Sequence, residues 1–320
     1  MNSVRQFSGL NIAVVIPCFN EALAIGQVLE SFQVVLPEAT VHVFDNNSTD
    51  NTAVVAAAHG ALVSHVRLRG KGNVVRRMFA DIEADLYIMM DGDATYDISA
   101  LREHISLMVQ KNLDMLVGCR QDSGDNQFTY RPGHRWGNKL LTFTVSWIFG
   151  GAFTDMLSGY RIFSRRYVKS FPVIAKGFEI ETEFTVHALS LRMPYAEVPT
   201  KYLSRPEGSH SKLSTYRDGW RILRTIFQLF ISERPLAFFA IVAALLATVS
   251  IILAIPLAIT FLHTGLVPRF PTAILATGGM LSALLSLVCG TILNTVTQGR
   301  QEMKHIAYLS IPATSHPTHK

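Results

Sequence analysis

Leu86-Tyr87-Ile88-Met89-Met90-Asp91-Gly92-Asp93 decides the fold: a short uncharged apolar run ends directly on two carboxylates separated by a glycine. A run of this length reads as a buried strand, and a glycine between two acids reads as a tight turn at its carboxyl end. Upstream the pattern repeats. Asn11 to Pro17 is an apolar run, Ala22 to Val34 fits an amphipathic helix, and Val41 to Phe44 is a second run that stops at Asp45-Asn46-Asn47-Ser48. A helix over Thr52 to His59, a strand over Leu62 to Val66 and a helix over Asn73 to Ala84 continue the alternation, which predicts an α/β domain with a mostly parallel sheet flanked by helices. Ligands of such sheets bind beyond the carboxyl ends of the strands, so Asn20-Glu21, Asp45 and Asp91-Gly92-Asp93 are expected along one edge.

The second half of the domain is less regular. A strand is expected over Met115 to Gly118, a Gly- and Asp-containing loop over Gln121 to Gly133, helices over Gly137 to Phe149 and Glu181 to Leu191, and a strand over Ala196 to Tyr202. A basic stretch, Arg205 to Lys212, leads into an amphipathic segment, Tyr216 to Ile231. That segment carries Arg217, Arg221 and Arg224 beside Trp220, Leu223 and Phe227, which suits a helix lying at lipid headgroups.

Of the 320 residues, 49% are hydrophobic, an excess concentrated near the C-terminus. Leu236 to Leu262 and Thr272 to Gln298 contain no Asp, Glu, Lys or Arg, and each exceeds the ~20 residues a helix needs to cross ~30 Å of hydrocarbon. Both read as transmembrane helices joined by the short His263 to Pro271, a hairpin with both flanks on one side. Arg217, Arg221, Arg224, Arg234, Arg300 and Lys304 flank it, against Arg269 alone in the loop, so positive-inside counting puts the flanks in the cytoplasm. The expected organisation is a cytoplasmic catalytic domain over residues 1–213, a juxtamembrane helix over 214–234, the two spans within 235–299 and a cytoplasmic tail over 300–320, in a bacterial inner membrane. Residues 1–11 carry no apolar signal-peptide core, and three widely spaced cysteines suggest no disulfide framework. The net charge of +5 suits an anionic membrane surface, and no motif supports nucleic-acid binding.

Asp91 and Asp93, beyond a buried strand, are suited to holding a divalent cation against a diphosphate, although an Asp-x-Asp triplet taken alone equally describes a solvated turn. Asp45 is an acceptor for nucleobase N–H groups or a capping residue. Gly70-Lys71-Gly72 before a helix brings a lysine towards a phosphate without forming a Walker motif. Glu179, Glu181 and Glu183 share a face if extended and diverge if helical; a structural or acceptor-positioning role is favoured over proton abstraction.

Val15-Ile16-Pro17-Cys18-Phe19-Asn20-Glu21, Asp45-Asn46-Asn47-Ser48-Thr49-Asp50, Gly70-Lys71-Gly72, Asp91-Gly92-Asp93 and Ser158-Gly159-Tyr160-Arg161 together resemble family 2 glycosyltransferases of the GT-A fold. Among them the chain is most similar to dolichol-phosphate mannose synthases and bacterial polyprenyl-phosphate glycosyltransferases, including members that end in a two-helix membrane hairpin. The resemblance implies nucleotide or donor contacts at Pro17, Phe19, Glu21, Asp45, Lys71 and Asp91, and a Mg²⁺ or Mn²⁺ site at Asp91 and Asp93. It further implies catalytic parts for Asp93, Asp155, Arg161 and Arg120, acceptor contacts at Arg120, Arg135 and Ser158, and a basic loop with Arg205, Ser211 and Lys212 closing over the donor. Several mannose synthases carry a metal-binding glutamine where this chain has Thr95.

The expected reaction is inverting transfer of a hexose from a UDP- or GDP-sugar to undecaprenyl or dolichyl phosphate. An acceptor phosphate is already anionic, so the site needs a metal and Arg or Lys groups rather than a base; Arg120, Arg135, Arg161, Arg205 and Lys212 are the candidates. The alternatives are a transferase that extends a glycolipid or polysaccharide at a sugar hydroxyl, and a non-catalytic nucleotide-sugar-binding scaffold. The expected partners are thus the nucleotide-sugar, the polyprenyl phosphate and the membrane, with a homo-oligomer left open.

Overall fold

The computed structural model describes residues 7, 9–122, 144–146, 148, 150–151, 153–177, 179–206 and 215–313, with backbone only at 122, 215–219 and 221–222. Seven strands form one sheet in the order β3-β2-β1-β4-β6-β5-β7. They are β1 (Ile12–Cys18), β2 (Thr40–Asp45), β3 (Leu62–His65), β4 (Leu86–Met89), β5 (Met115–Asp122), β6 (Arg161–Ser164) and β7 (Tyr195–Tyr202). β1, β2, β3 and β4 pair in parallel, β6 runs antiparallel to both β4 and β5, and β7 is parallel to β5. The sheet is therefore mostly parallel with one reversed strand.

Helices α1 (Ile25–Val35), α2 (Thr52–Ala58), α3 (Lys71–Asp81), α4 (Leu101–Gln110), α5 (Arg165–Ser170) and α6 (Ile180–Ser190) accompany it. The alternation within each strand sorts side chains into two cores. Ile12, Val14 and Ile16 of β1 join α1 and α4 residues in one cluster, whereas Ala13 and Val15 join α3, α5 and α6 residues in the other. Burial on both faces is why these strands read as continuous apolar runs rather than alternating ones.

Three strands leave the sheet at the same edge through left-handed residues: Asn20 after β1 (φ 54°), Asn47 after β2 (φ 59°) and Ala94 after β4 (φ 57°). Asparagine tolerates this region, and alanine does so only at a cost. Side chains lock the first two turns together. The Asn20 amide donates to Ser48 Oγ (2.9 Å), the Thr49 amide to Asn20 Oδ1 (2.7 Å) and the Glu21 amide to Thr52 Oγ1 (2.8 Å).

Chain contacts divide the protein into a unit of Met1–Thr225 with Lys304–Lys320 and a second unit of Ile226–Met303. Helix α7 (Thr215–Glu233) precedes α8 (Pro235–Thr264) and α9 (Phe270–Leu309), and the last two are long and apolar enough to cross a membrane. α8 ends on left-handed Gly265 (φ 67°). The α8–α9 packing depends on small residues: a Cβ on Gly279 would lie 2.2 Å from Ser250 Oγ, and one on Gly290 2.8 Å from Phe239 Cβ. In the same unit Arg300 donates to the Ser232 carbonyl (2.6 Å) and pairs with Glu233 (3.2 Å).

Candidate active site

The carboxyl edge of the sheet holds a cavity of about 310 Å³ lined by Pro17 at the end of β1, Phe19 and Glu21 after it, Asn46 after β2, Arg69 and Lys71 at the start of α3, Asp91 and Asp93 after β4, and Arg205 after β7. One observation organises it: its acids and bases are interlocked. Lys71 Nζ lies 2.6 Å from Asp91 Oδ1 and 2.7 Å from Glu181 Oε1, and Arg205 Nη2 lies 2.6 Å from Asp93 Oδ2. Asp93 is aimed by its own turn, because Thr95 Oγ1 donates to Asp93 Oδ1 at 2.6 Å. The residue standing where mannose synthases have a glutamine thus orients the neighbouring carboxylate.

Local sequence explains how Lys71 reaches this position. Asn46 Oδ1 accepts from the Gly70 amide (2.7 Å) while its Nδ2 donates to the Val66 and Leu68 carbonyls, which shapes the turn into α3. Gly70 takes φ 116°, and a Cβ on Gly72 would sit 2.2 Å from the Ala175 carbonyl oxygen. Both glycines are therefore needed for α3 to press its first turn onto residues 175 and 176. That segment is itself held by α6 and its N-cap residue: Glu183 accepts from the Ile174 and Ala175 amides, and Glu179 from those of Lys176 and Gly177. On the helical start Glu179 and Glu183, four residues apart, both meet the 174–177 segment, and Glu181 alone joins the Lys71 cluster.

Electrostatics follow from this burial. Burial would depress the Lys71 ammonium, but the Asp91 and Glu181 carboxylates outweigh it and hold the group above the usual lysine range. Burial, with the Asp91 charge beside it, pushes the Asp93 carboxyl up against the opposing pull of Thr95 and Arg205. Burial likewise raises Glu181, with Lys71 opposing.

The remaining expected residues fall around the cavity rather than in its lining. Asp45 is buried at the end of β2 and lies 3.2 Å from His65 Nδ1. Arg120 makes a two-pronged pair with Asp155, at 2.7 Å on each oxygen, and its guanidinium stacks 5.8 Å from the Tyr202 ring. Two of the expected residues lie inside the protein. Arg161, read as a guanidinium for the phosphates, is fully buried; it donates to the Ser158, Met156 and Glu181 carbonyls, and burial lowers its pKa. Ser158, read as an acceptor contact, is also fully buried and donates to the Gly118 carbonyl at 2.5 Å. Both hold the 156–161 loop in shape. That loop matters because a Cβ on Gly159 would lie 2.2 Å from Asp91 Oδ2. Arg135, Ser211 and Lys212 lie outside the described residues.

Sequence reasoning named Glu181 without its partner and missed the parts of two further residues. Glu181 enters through a lysine more than a hundred positions away, a pairing with no local signal. Arg69, whose guanidinium sits 5.7 Å from the Phe19 ring centre, adds a second cation beside Lys71. Asn46 was quoted as part of a motif and given no task of its own.

Residues 13–171 match glycosyl transferase family 2. A glycosyltransferase of Haloferax volcanii, AglJ, is 30% identical over 308 residues, covering 93% of this chain and 98% of that protein. The chain belongs to glycosyl transferase family 2. An uncharacterised protein of Shigella flexneri is 60% identical over 155 residues, 48% of this chain and 95% of its own. A dolichyl-phosphate hexose transferase of Haloferax volcanii is 25% identical over 231 residues, 72% of this glycosyltransferase and 99% of that one. The fold is that of glucosyl-3-phosphoglycerate synthase from Mycobacterium tuberculosis, whose structure with Mn²⁺ and UDP-glucose superposes with a TM-score of 0.54 at 20% identity, covering 72% of this chain and 80% of that one. The GT-A fold and a glycosyltransferase activity thus follow.

The acidic turn fits the divalent cation that such a fold implies. Asp91 and Asp93 present hard oxygen donors to one cavity from either side of Gly92, the donor chemistry that Mg²⁺ and Mn²⁺ prefer. Among the described residues no third His, Cys, Asp or Glu joins them as a candidate ligand.

Proposed function

We propose that the protein transfers a hexose from a UDP- or GDP-sugar to a polyprenyl phosphate, with inversion at the anomeric carbon, at the cytoplasmic face of a bacterial inner membrane. The observation that carries this reading is that most of the carboxylates around the cavity are committed to cations or backbone amides. Asp91 and Glu181 hold Lys71, Asp93 holds Arg205, Asp155 holds Arg120, and Glu179 and Glu183 hold backbone amides. A sugar-hydroxyl acceptor needs a base to take its proton. A phosphate acceptor has none to lose, and its transfer needs cations arranged around two anions, which is what Lys71, Arg69, Arg205 and Arg120 supply.

In this reading Pro17 and Phe19 wall the nucleotide, Asp45 and Asn46 order the floor beneath it, and Asp91 with Asp93 holds a Mg²⁺ or Mn²⁺ ion. The bound cation neutralises charge on the departing nucleoside diphosphate. Arg205 is well placed to trade Asp93 for a donor phosphate. Arg120, clamped by Asp155, is the guanidinium we assign to the acceptor phosphate, and Arg161 and Ser158 support the loop behind Asp91. The dolichyl-phosphate hexose transferase among the relatives supports the lipid acceptor, and the two apolar helices would keep the enzyme where such an acceptor resides.

The test is turnover by the detergent-purified protein with undecaprenyl phosphate, Mg²⁺ or Mn²⁺ and a panel of UDP- and GDP-sugars, read by mass spectrometry. One donor is expected to yield a lipid-phosphate sugar, and Asp93→Asn to reduce the rate by about 10²-fold or more. Turnover only with a saccharide acceptor would overturn the phosphate assignment, and donor binding without consumption would turn the reading to a scaffold.

A further inference from the structure

The cluster at the cavity joins three carboxylates, Asp91, Asp93 and Glu181, to two cations, Lys71 and Arg205. A divalent ion on the acidic turn competes directly with both cations. Arg205 can yield, since it sits on the segment after β7 with its side chain 23% exposed. Lys71 cannot leave as easily. Its side chain is 8% exposed, and α3 is pinned behind it by Gly70 and Gly72 against the backbone of Lys176 and Ala175. An ammonium stripped of its partner in so dry a place is costly, so it would hold Asp91 against the incoming ion.

Glu181 relieves that competition. Its Oε1 already lies 2.7 Å from Lys71 Nζ, and its Oε2 is buried with no hydrogen-bond partner among the described residues. The carboxylate therefore has acceptor capacity in reserve next to a lysine that must give up Asp91. We propose that Glu181 is a positioning residue that acts through Lys71: it is the second seat of the ammonium, which lets the divalent cation take Asp91 while Lys71 stays charged and in place to meet the donor diphosphate. Glu181 does not touch the cation. The inference rests on the cation part of the function proposed above and is independent of which acceptor is used.

The test is Mn²⁺ affinity of the full chain in detergent, measured by electron paramagnetic resonance without donor or acceptor. Glu181→Gln is expected to weaken binding by about tenfold, equivalent to ~1.4 kcal/mol. Lys71→Met is expected to bind Mn²⁺ more tightly than the wild type, because the competitor is gone. The double variant Lys71→Met/Glu181→Gln is expected to return to wild-type affinity or better. An unchanged affinity in Glu181→Gln would overturn the proposal, and so would Lys71→Met binding no more tightly than wild type. A double variant as weak as Glu181→Gln would instead make Glu181 a ligand of the ion and overturn it too. A wild-type protein that binds no Mn²⁺ would sink both this inference and the metal-dependent reading beneath it, whereas normal Mn²⁺ behaviour without transfer to lipid phosphate would sink only the latter's acceptor.

Discussion

At the scale of single residues, the site depends on one contact that a motif conceals. Gly159 lies against the Asp91 carboxylate so closely that a methyl group would occupy the position of Oδ2. Its φ is unremarkable, so the need is for space and not for backbone freedom. Gly159→Ala should push Asp91 off Lys71 while leaving both cores untouched. A misplacement of about 1 Å at a reacting site costs on the order of 10²-fold in rate. The expected outcome is a folded enzyme with turnover reduced to that extent and weakened Mn²⁺ binding; unaltered turnover would show that Asp91 does not need its present position. Asp91, Asp93 and Lys71 were legible in the sequence because each ends or begins an element with clear punctuation. Arg161 stood out for the opposite reason. A charged residue in a glycine-flanked motif suggests a ligand contact, yet here the guanidinium closes a loop by satisfying buried carbonyls.

At the scale of elements, the first half of the sheet was readable strand by strand, and in the second half β5 and β7 were readable while β6 was not. β6 and α5 lie end to end with no turn signal between them, and the reversal of β6 follows from pairing with β4 and β5, which local pattern cannot encode. α4 went unread although it buries Leu101, Ile105 and Met108 against the β1 face. α6 is the element on which both site and core depend. Its first turn carries the glutamates, while its far end carries His187, 3% exposed between Tyr167 and Phe171. Burial, reinforced by Lys304 and His305, lowers the His187 pKa to about 3. The folded state therefore refuses a proton that the unfolded chain accepts near pH 6.5, so stability is present above that value and is lost as pH falls towards 3. Between about pH 7.5 and about pH 5 the melting temperature of the wild type should fall more steeply than that of His187→Gln. Parallel pH profiles would show that another group governs acid sensitivity.

At the scale of the whole molecule, connectivity constrains topology. The chain leaves the sheet-containing unit before Ile226 and returns to it at Lys304, with the apolar helices between. The return is anchored by specific chemistry. Tyr308 donates its hydroxyl to Asp114 Oδ2 (2.7 Å), and the Arg166 guanidinium, itself paired with Asp114, stacks 4.8 Å from the Tyr308 ring. Asp114 is wholly buried at the start of β5, so the last turn of α9 is fastened to the sheet by a carboxylate that cannot find water instead. A chain that leaves one folded unit and re-enters it can cross a bilayer only an even number of times, and α8 and α9, each long and apolar enough to cross, would supply two crossings. In the proposed function the positive charges of Arg234, Arg300 and Lys304 select the cytoplasm for the shared side and leave Gly265 to Arg269 on the other. In a background lacking the three native cysteines, a cysteine at Val267 should react with a membrane-impermeant maleimide in intact cells, and one at Ser310 only after lysis. Labelling of the Ser310 position alone in intact cells would put the catalytic unit outside, and labelling of both or of neither would mean that the helices do not cross.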